Sequence, residues 1–293
     1  MFQAGHFKGK RFLVTGGGTG LGKVMTEGFL ALGAEVAICG RRKGVLDEAA
    51  AEMMKKSGGK VTTHACDIRV AEAVEDMVAA VWQDGPLDGL VNNAAGNFIS
   101  RTEDLSARGF DAIAGIVFHG SFYCTSAVGK RWIKEKRGGS VLSILTTWVR
   151  TGSPYVVPSA MSKAGVAAMT RSLAVEWGPK GIRLNAIAPG PFPTEGAWAR
   201  LSPTPELSNN AERLASNPMR RNGRMPELAN LAAFLMSDEC AYLNGEIIAI
   251  DGGQWMNSAG GYGRLAKLGD DDWKRIRESI RNANEKDKAK RSA

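Results

Sequence analysis

The sequence is poor in the residues that build metal centres and disulfide frameworks. Its 293 residues include only three histidines and four cysteines. The cysteines form no C-x-x-C motif and no His/Cys cluster; they are Cys39, Cys66, Cys124 and Cys240. Scattered cysteines of this kind predict reduced thiols rather than disulfides or zinc. We therefore expect a protein without a metal site.

Long apolar runs are missing as well. No uninterrupted apolar stretch approaches about 18 residues, and the first residues lack a signal-peptide pattern. The sequence therefore predicts a soluble, cytoplasmic protein with no membrane partner. A domain of this length can bury roughly 75% of the surface that its unfolded chain exposes, so its core needs no covalent crosslink.

Basic residues are in excess, but the excess is unevenly placed. The formal net charge is +8, of which residues 264–293 contribute +4 through ten Lys or Arg against six Asp or Glu. No recognised nucleic-acid-binding motif accompanies this charge, so we expect no nucleic-acid partner. An anionic small molecule, such as a phosphate-bearing cofactor or a coenzyme A ester, suits the charge better.

Short apolar runs alternate with longer helix-like stretches. The predicted strands are Arg11–Thr15, Glu35–Cys39, Val61–Ala65, Gly89–Asn92, Ser140–Leu145, Arg183–Ala188 and Ile247–Ile250. The predicted helices between them are Leu21–Leu32, Val45–Lys56, Val70–Trp82, Phe110–Lys136, Ser159–Trp177 and Glu227–Met236. This alternation predicts an α/β fold with a doubly wound parallel sheet that helices cover on both faces.

The end of the chain differs in character from the rest. We predict one domain over residues 1–257 and a basic extension over residues 258–293. The extension opens with glycines, and Asp270–Asp272 then favour the start of a helix. Trp273, Ile276 and Ile280 give that helix one apolar stripe. The stripe favours docking on the same or a neighbouring subunit over an acyl-chain or membrane role.

A glycine-rich segment follows the first predicted strand and opens the first helix. It reads Thr15-Gly16-Gly17-Gly18-Thr19-Gly20-Leu21-Gly22. Glycines let the backbone approach a pyrophosphate, and a helix N-terminus offers free N–H groups to it. The segment therefore predicts a dinucleotide site, with the contacts assigned to Gly16, Gly18, Thr19, Gly20, Leu21 and Gly22.

The end of the second strand distinguishes between the two nicotinamide dinucleotides. An NAD site places a carboxylate there to bind the ribose 2′-hydroxyl, but this sequence has Gly40 followed by Arg41. A guanidinium forms charge-assisted bonds with a 2′-phosphate. We therefore predict NADPH as the cofactor; the alternative is that Arg41 is only a solvated charge in a turn.

Three further segments complete a pattern with the glycine turn. They are Cys66-Asp67-Ile68, Asn92-Asn93-Ala94-Ala95-Gly96 and Pro189-Gly190. In this order and spacing they resemble the short-chain dehydrogenase/reductase family over roughly residues 9–256. The resemblance implies a Rossmann-type sheet of seven parallel strands and, commonly, a homotetramer. It also implies cofactor contacts at Asp67, Ile68, Asn93, Ala94, Ala95, Gly96, Lys163, Pro189, Gly190 and Phe192.

Within that family the sequence is most similar to the 2,4-dienoyl-CoA reductases. The segments that carry this similarity are Asn93–Phe98, Val156–Ala160 and Gly190–Gly196. The resemblance implies NADPH-dependent reduction of the conjugated diene of an acyl-CoA thioester. Members of this branch also lack the tyrosine that usually stands four residues before the active-site lysine.

Lys163 is the predicted active-site lysine, and Ser159 occupies the position of the missing tyrosine. Both fall on one face of a helix that Pro158 can start. In the family this lysine holds the nicotinamide ribose and lowers nearby pKa values. The family's catalytic serine corresponds to Thr146, which either orients a substrate oxygen or is a structural hydroxyl at a strand end.

The remaining polar roles of the family find partial matches. The usual asparagine position of the catalytic tetrad gives Val117, and an alternative alignment gives His119, which is either functional or packed. The acidic tyrosine of mitochondrial-type dienoyl-CoA reductases corresponds to Trp148, whose indole cannot surrender a proton. Tyr155 is the nearest replacement; it either supplies a proton or only packs and lines the substrate pocket.

Reaction chemistry favours a carbon–carbon double bond as the target. Losing a general acid typically costs about 10²–10⁴-fold in rate. A hydride transfer that leaves an enolate tolerates this loss better than one that leaves an alkoxide. We therefore expect hydride addition at the distal end of a dienoyl thioester, with the oxygen held near His119 and Thr146. The alternatives are another carbonyl or enoyl reductase, and an inactive NADPH-binding sensor or scaffold.

Overall fold

The structure is a computed structural model that describes residues 2–194, 201, 214–259, 265 and 267–291. Its strands are β1 (Arg11–Thr15), β2 (Glu35–Gly40), β3 (Val61–Ala65), β4 (Gly89–Asn92), β5 (Gly139–Ile144), β6 (Ile182–Pro189) and β7 (Ile247–Ile250). They form one seven-stranded sheet in the order β3-β2-β1-β4-β5-β6-β7. Every neighbouring pair is parallel. The predicted fold class is thereby confirmed.

Ten α-helices occur in the described residues. They are α1 (Gly20–Ala31), α2 (Lys43–Ser57), α3 (Ala71–Gln83), α4 (Ala107–Ala114), α5 (Gly120–Lys134), α6 (Trp148–Thr151), α7 (Val157–Trp177), α8 (Met225–Met236), α9 (Gln254–Ala259) and α10 (Asp270–Arg291). A π-helical segment, Gly115–His119, joins α4 to α5 without a break. The predicted single helix Phe110–Lys136 therefore begins earlier and has a wider turn inside it. Ser106 explains the earlier start, because its hydroxyl accepts the amide of Gly109 as an N-cap.

Helices bury both faces of the sheet. On one face α1, α2 and α8 pack over β1 and β2, and a cluster of Phe7, Phe12 and Phe29 has ring centroids 5.0–6.0 Å apart. On the other face α3 and α5 pack around Trp132, whose indole donates to Leu87 O at 2.6 Å. Burial from both sides explains why the strands are almost wholly apolar.

The longest continuous helix, residues 107–134, is long and apolar enough to cross a membrane, judged by length and composition alone. However, 56% of its most apolar window is buried inside the protein. It contacts α3, β4, β5 and α7. Contacts of this kind are typical of a helix in the protein core, and a core helix also meets these criteria of length and composition.

The chain divides into two compact units, Met1–Trp255 and Met256–Ala293. The first contains the sheet and α1–α8. The second contains α10, which begins with three aspartates, Asp270, Asp271 and Asp272. Lys274 and Arg275 pair with two of those carboxylates at i, i+3 spacing. Acidic residues in a first turn stabilise a helix through its dipole, in agreement with the sequence pattern.

The strand order locates the site. Beyond β1 the chain fills one half of the sheet through β2 and β3, and it then crosses to β4 on the other side of β1. In open parallel sheets, ligands bind outside the carboxyl ends of the strands at such a reversal. The predicted motifs after β1, β2, β3, β4, β5 and β6 all lie at that edge.

Candidate functional site

The turn between β1 and α1 is built so that only glycine fits at several positions. Gly16 and Gly20 have φ of +66° and +53°, which glycine adopts without strain. A Cβ on Gly22 would overlap Gly16 O and lie 2.5 Å from Asn93 Nδ2. A Cβ on Gly17 would lie 2.5 Å from the Ile38 side chain. These residues let α1 sit directly on the strand end.

The N-terminus of α1 is open to an anion. Thr19 is the N-cap, and its side chain makes no capping hydrogen bond. No acidic residue lies in the first turn to offset the helix dipole. Thr19 and Gly20 are exposed, and Leu21 is half-buried. Free amides, an uncompensated positive dipole and a free hydroxyl together fit a pyrophosphate.

The loop after β4 is hydrogen-bonded to the turn between β1 and α1. The Thr15 hydroxyl accepts the amides of Asn93 and Ala94, both at 3.0 Å, and donates to Val91 O at 3.3 Å. The Asn93 side-chain amide donates to Thr15 O and Gly16 O at 2.9 and 3.3 Å. Asn93–Gly96 is therefore fixed beside the glycine turn by side-chain bonds from both strands.

Two arginines, Arg41 and Arg69, follow β2 and β3 at the predicted dinucleotide site. Arg41 is exposed after β2, without a hydrogen bond or ion pair among the described residues. Asp67, after β3, binds Arg69 through both carboxylate oxygens, with Arg69 Nε at 2.9 and 3.0 Å. These bonds, and more weakly the charge of Arg41, lower the pKa of Asp67. Arg69 was not predicted from the sequence to have a role, although it lies only two positions after Asp67.

Ser159 and Lys163 lie together on the buried face of α7, 3% and 6% exposed. The Lys163 ammonium donates to the carbonyl of Ile144, the last residue of β5. Burial lowers the pKa of Lys163 to about 8. The Ser159 hydroxyl has no hydrogen bond among the described residues, so it is free to meet a ligand. Pro158 lies in the first turn of α7, as predicted.

Thr146 lies two residues after the end of β5 and organises the short helix α6. Its hydroxyl oxygen accepts the amide of Trp148 at 2.9 Å, which leaves its proton available to a ligand oxygen. Arg150 donates to Ile247 O at 2.8 Å and lies 4.7 Å from the ring centroid of Trp255. Trp148 is half-buried in this turn. The Thr146 hydroxyl therefore has a structural role, and this role leaves its proton able to contact a substrate.

Val117 and His119 lie in different surroundings within the π-helical segment. Val117 is fully buried, and its carbonyl accepts the Ser121 hydroxyl at 2.7 Å. His119 is exposed and lies 3.5 Å from the Tyr123 hydroxyl through its Nδ1. The described contacts of His119 thus join it to its own helix rather than to Lys163 or Thr146.

The segment after β6 packs against two distant parts of the chain. Gly190 donates to Ile250 O at 3.0 Å, and a Cβ there would lie 2.6 Å from Asp251 Cβ. Phe192 is buried beside Gly223, which donates to Pro191 O at 3.0 Å. Pro189 and Gly190 remain half-buried at the strand end.

Two polar side chains near the site were not identified from the sequence. Asn217 is 2% exposed and donates to Asp251 O at 2.9 Å, which fixes the segment before α8. Asn97 accepts the Phe98 amide at 2.9 Å through its side-chain oxygen, so its amide protons are left for another partner. An amide side chain directly after Gly96 was the available signal for Asn97. No local pattern indicates Asn217.

Other parts of the described chain do not compete as the main site. Its residues include no group of three metal-binding side chains. A cavity of about 760 Å³ lies at the amino ends of β5 and β6, lined among others by Lys10, Arg183 and Tyr242. Lys10 is already paired with Asp238 at 3.0 Å, and Arg183 donates to carbonyls of Leu243, Leu235 and Ser237. Volume alone therefore does not identify the site.

Fold and site together define a nucleotide-binding oxidoreductase of Rossmann type. Residues 16–254 match the family model described as enoyl-(acyl carrier protein) reductase. The chain belongs to the short-chain dehydrogenase/reductase family.

Two named proteins and one solved structure are similar to this chain over most of its length. A probable 2,4-dienoyl-CoA reductase 3, (3E)-enoyl-CoA-producing, from Caenorhabditis elegans is 45% identical over 98% of this chain and 94% of its own length. A probable 2,4-dienoyl-CoA reductase, (2E)-enoyl-CoA-producing, from Bacillus subtilis is 43% identical over 85% of this chain and 97% of its own. The crystal structure of a putative 2-deoxy-d-gluconate 3-dehydrogenase from Agrobacterium tumefaciens with bound NADP has a TM-score of 0.78. It is 31% identical, with 87% of this chain and 100% of that chain covered.

Proposed function

We propose that the protein is an NADPH-dependent 2,4-dienoyl-CoA reductase. The observation that carries the proposal is Ser159, buried one turn before Lys163 where an alcohol dehydrogenase of this family needs a tyrosine. Two relatives above 40% identity bear the name of that activity. Hydride addition to a conjugated thioester needs no strong acid beside the reacting carbon, so a serine at this position is compatible with it.

The cofactor would lie along the carboxyl edge of the sheet. The α1 N-terminus and Gly16–Gly22 would hold the pyrophosphate, and Arg41 would pair with the 2′-phosphate. Asp67 and Ile68 would contact the adenine, and Asn93–Gly96 would support the adjacent ribose. Lys163, Pro189, Gly190 and Phe192 would hold the nicotinamide end. Bound NADPH supplies the hydride.

The protein's side chains would stabilise the negative charge that develops on the thioester oxygen. Thr146 has a hydroxyl proton to donate, because its oxygen is already occupied by the Trp148 amide. Lys163 donates to the carbonyl of Ile144, two residues before Thr146, and would add a cation to this part of the site; Ser159 would offer a second hydroxyl. His119, whose described contacts join it to its own helix, would be a further donor to this oxygen. Donors fixed before the reaction stabilise an oxyanion without reorganisation.

The position of the final proton decides the product. After hydride addition at the distal carbon, protonation of the dienolate at Cα gives a 3-enoyl thioester, whereas protonation at Cγ gives a 2-enoyl thioester. The two relatives are named for different products. Trp148 cannot supply this proton. We assign the proton to water, with the Tyr155 hydroxyl as the alternative donor.

The test is NADPH oxidation with 2,4-hexadienoyl-CoA and, in parallel, with a panel of ketones. We expect turnover of the dienoyl thioester alone, and mass spectrometry with NMR of the product would locate the remaining double bond. Turnover of ketones but not of the thioester would instead favour a carbonyl reductase. NADPH binding by calorimetry without turnover of any substrate would favour the inactive sensor or scaffold, the alternative suggested by Ser159 in place of the tyrosine and by Val117.

The cofactor preference has its own test. Arg41→Ala removes the charge that would meet the 2′-phosphate, and charge-assisted bonds contribute roughly 1.5–3 kcal/mol. We therefore expect the KM for NADPH to rise by about tenfold to a hundredfold while the KM for NADH stays constant. Arg42→Ala, which alters the neighbouring charge, is the matched control. An unchanged NADPH/NADH ratio in Arg41→Ala would contradict the preference.

Self-association and location belong to the same proposal. Phe118, Phe122 and Met161 are apolar side chains 43%, 51% and 57% exposed on the π-helical segment, α5 and α7. Phe118 also packs beside Gly165 of α7, so this apolar surface spans both helices. A second copy of the chain would cover it, consistent with a cytoplasmic homotetramer. Light scattering after size exclusion of Phe122→Glu would test this, since a species smaller than the tetramer is expected.

A further inference from the structure

Tyr155 has a backbone conformation that aromatic residues rarely adopt. Its φ is +61°. Among the described residues, the other non-glycine residues with positive φ are Lys136 and Arg220. Lys136 follows α5, where a left-handed residue commonly ends a helix. Tyr155 instead lies in the loop between α6 and α7, and such a conformation persists only when surrounding structure enforces it.

One hydrogen bond to the Tyr155 backbone contributes to holding this conformation. The Ser100 amide donates to Tyr155 O at 2.9 Å. Ser100 belongs to the loop after β4, and Tyr155 belongs to the connection that follows β5. The bond therefore ties together two loops at the carboxyl edge of the sheet, where parallel-sheet proteins bind their ligands.

The side chain of Tyr155 is exposed, whereas two of the residues that follow it are buried. Its relative exposure is 60%, whereas Val156 and Ser159 are 4% and 3% exposed. The Tyr155 hydroxyl has no hydrogen bond among the described residues. An extended conformation at this position would relieve the backbone strain, yet the loop holds an apolar ring in water at the edge of the site.

We propose that Tyr155 contributes to binding of the acyl thioester by packing its ring against the substrate, an inference that rests on the proposed function. Tyr155 lies four residues before Ser159, in the loop before α7. This loop is on the half of the carboxyl edge that β5 and α7 form. The dinucleotide anchors follow β1, β2 and β3, on the opposite half of the sheet. A ring contact with a flat conjugated acyl chain or its thioester arm needs the ring's area and not its hydroxyl.

Four variants test this: Tyr155→Phe, Tyr155→Ala, Ser100→Pro and the control Ser100→Ala. Each is assayed for kcat and for two KM values, one toward NADPH and one toward the acyl thioester, with 2,4-hexadienoyl-CoA as that thioester. We expect Ser100→Ala to stay within about twofold of the wild type in all three. Tyr155→Phe keeps the ring, so it should raise the KM for the acyl thioester less than Tyr155→Ala does. Tyr155→Ala should raise the KM for the acyl thioester about tenfold and leave that for NADPH unchanged, as expected for a lost apolar contact. Ser100→Pro, which removes the amide donor, should shift the same KM.

Stability separates ring contact from a packing role. Tyr155→Asn has a side chain that tolerates the left-handed region, so its Tm should equal or exceed that of the wild type while the thioester KM still rises. A fall in Tm would show that the ring holds the fold. A hundredfold loss of kcat in Tyr155→Phe would make Tyr155 a proton donor, and an unchanged thioester KM in Tyr155→Ala would exclude the contact. Each result overturns the inference.

Failure of the proposed function is a distinct result. If the wild type binds NADPH but does not turn over 2,4-hexadienoyl-CoA, the reductase assignment fails. The same variants are then compared by calorimetry for binding of 2,4-hexadienoyl-CoA to the NADPH complex. Weaker binding in Tyr155→Ala but not in Tyr155→Phe would still support the contact. Equal binding in both, or none in the wild type, would overturn it.

Discussion

The two halves of the carboxyl edge are built in different ways. Around the end of β1 and the loop after β4, backbone groups and Thr15 hold one another in a dense network, and glycines allow close approach. Around β5 and α7, the side chains of Thr146, Ser159 and Lys163 make no hydrogen bond to one another among the described residues. A pyrophosphate is the same in every dinucleotide, so backbone can recognise it; a substrate differs between enzymes, so side chains must.

Lys163 belongs to both halves. Its position on α7 is on the substrate side, but the family assigns it to the nicotinamide ribose, and its ammonium is held by the last carbonyl of β5. A buried cation with one carbonyl partner is poorly solvated, which is why its pKa falls. Cofactor hydroxyls would add the partners that it lacks in the protein alone.

Among the substitutions considered, Gly22→Ala should have the largest effect, because it alters the rigid half of the carboxyl edge, around β1. A methyl group there overlaps Gly16 O, a backbone atom that cannot rotate away. Overpacking of this kind costs typically 1–3 kcal/mol, and the displaced turn would also lose its fit to the pyrophosphate. We expect NADPH binding, measured by fluorescence titration, to weaken by about a hundredfold or more.

Gly44→Ala is the control for this prediction. Gly44 lies in α2, and a Cβ there meets no atom within 4 Å. Binding should stay unchanged and stability should rise slightly, because alanine favours a helix over glycine. Equal cofactor affinity in Gly22→Ala and Gly44→Ala would mean that the turn does not hold the cofactor.

The same contrast explains what the sequence could predict. The sheet, its order around β1 and the glycine turn follow from local patterns, since each motif lies within a few residues of the strand that positions it. The setting of His119 did not follow, because residue counting assumes 3.6 residues per turn and the π-helical segment Gly115–His119 changes the phase. The contacts of Gly223 and Asn217 join segments about 30 residues apart, and no local pattern records them.

Lys163→Met should change how stability depends on pH. The pKa of Lys163 is about 8 in the folded protein, against 10.5 for an unperturbed lysine, so between these values the unfolded chain binds one more proton. Stability of the cofactor-free wild type should therefore rise with pH across this window, by at most on the order of 3 kcal/mol. Methionine has no such group, so the variant should lack this rise and be the more stable protein at pH 7.

Urea unfolding at intervals from pH 7 to 10.5 would measure the difference between the two proteins. Other lysines and tyrosines titrate in both, so only the difference between the curves is informative. Parallel curves would mean that Lys163 is solvated in the folded state, and that the substrate half is more open than its exposure of 6% indicates.

Gly223→Ala should have a smaller effect, and one confined to the substrate half. A Cβ on Gly223 would lie 2.7 Å from Phe192 Cε2 and closer still to Cζ, so the ring and the Pro189–Phe192 segment must move. A shift near the nicotinamide misaligns hydride transfer more than it weakens the phosphate contacts at the other half of the edge. We expect kcat to fall about tenfold while the Kd for NADPH changes by less than about threefold.

The double variant Gly223→Ala/Phe192→Ala separates misalignment from general damage. Removing the ring removes the atoms with which the new methyl collides, so the second substitution should cost less in the Gly223→Ala background than in the wild type. Additive losses would show that the two residues act independently. A loss of NADPH affinity as large as that of Gly22→Ala would erase the distinction between the halves, because the segment after β6 would then belong to the rigid cofactor network.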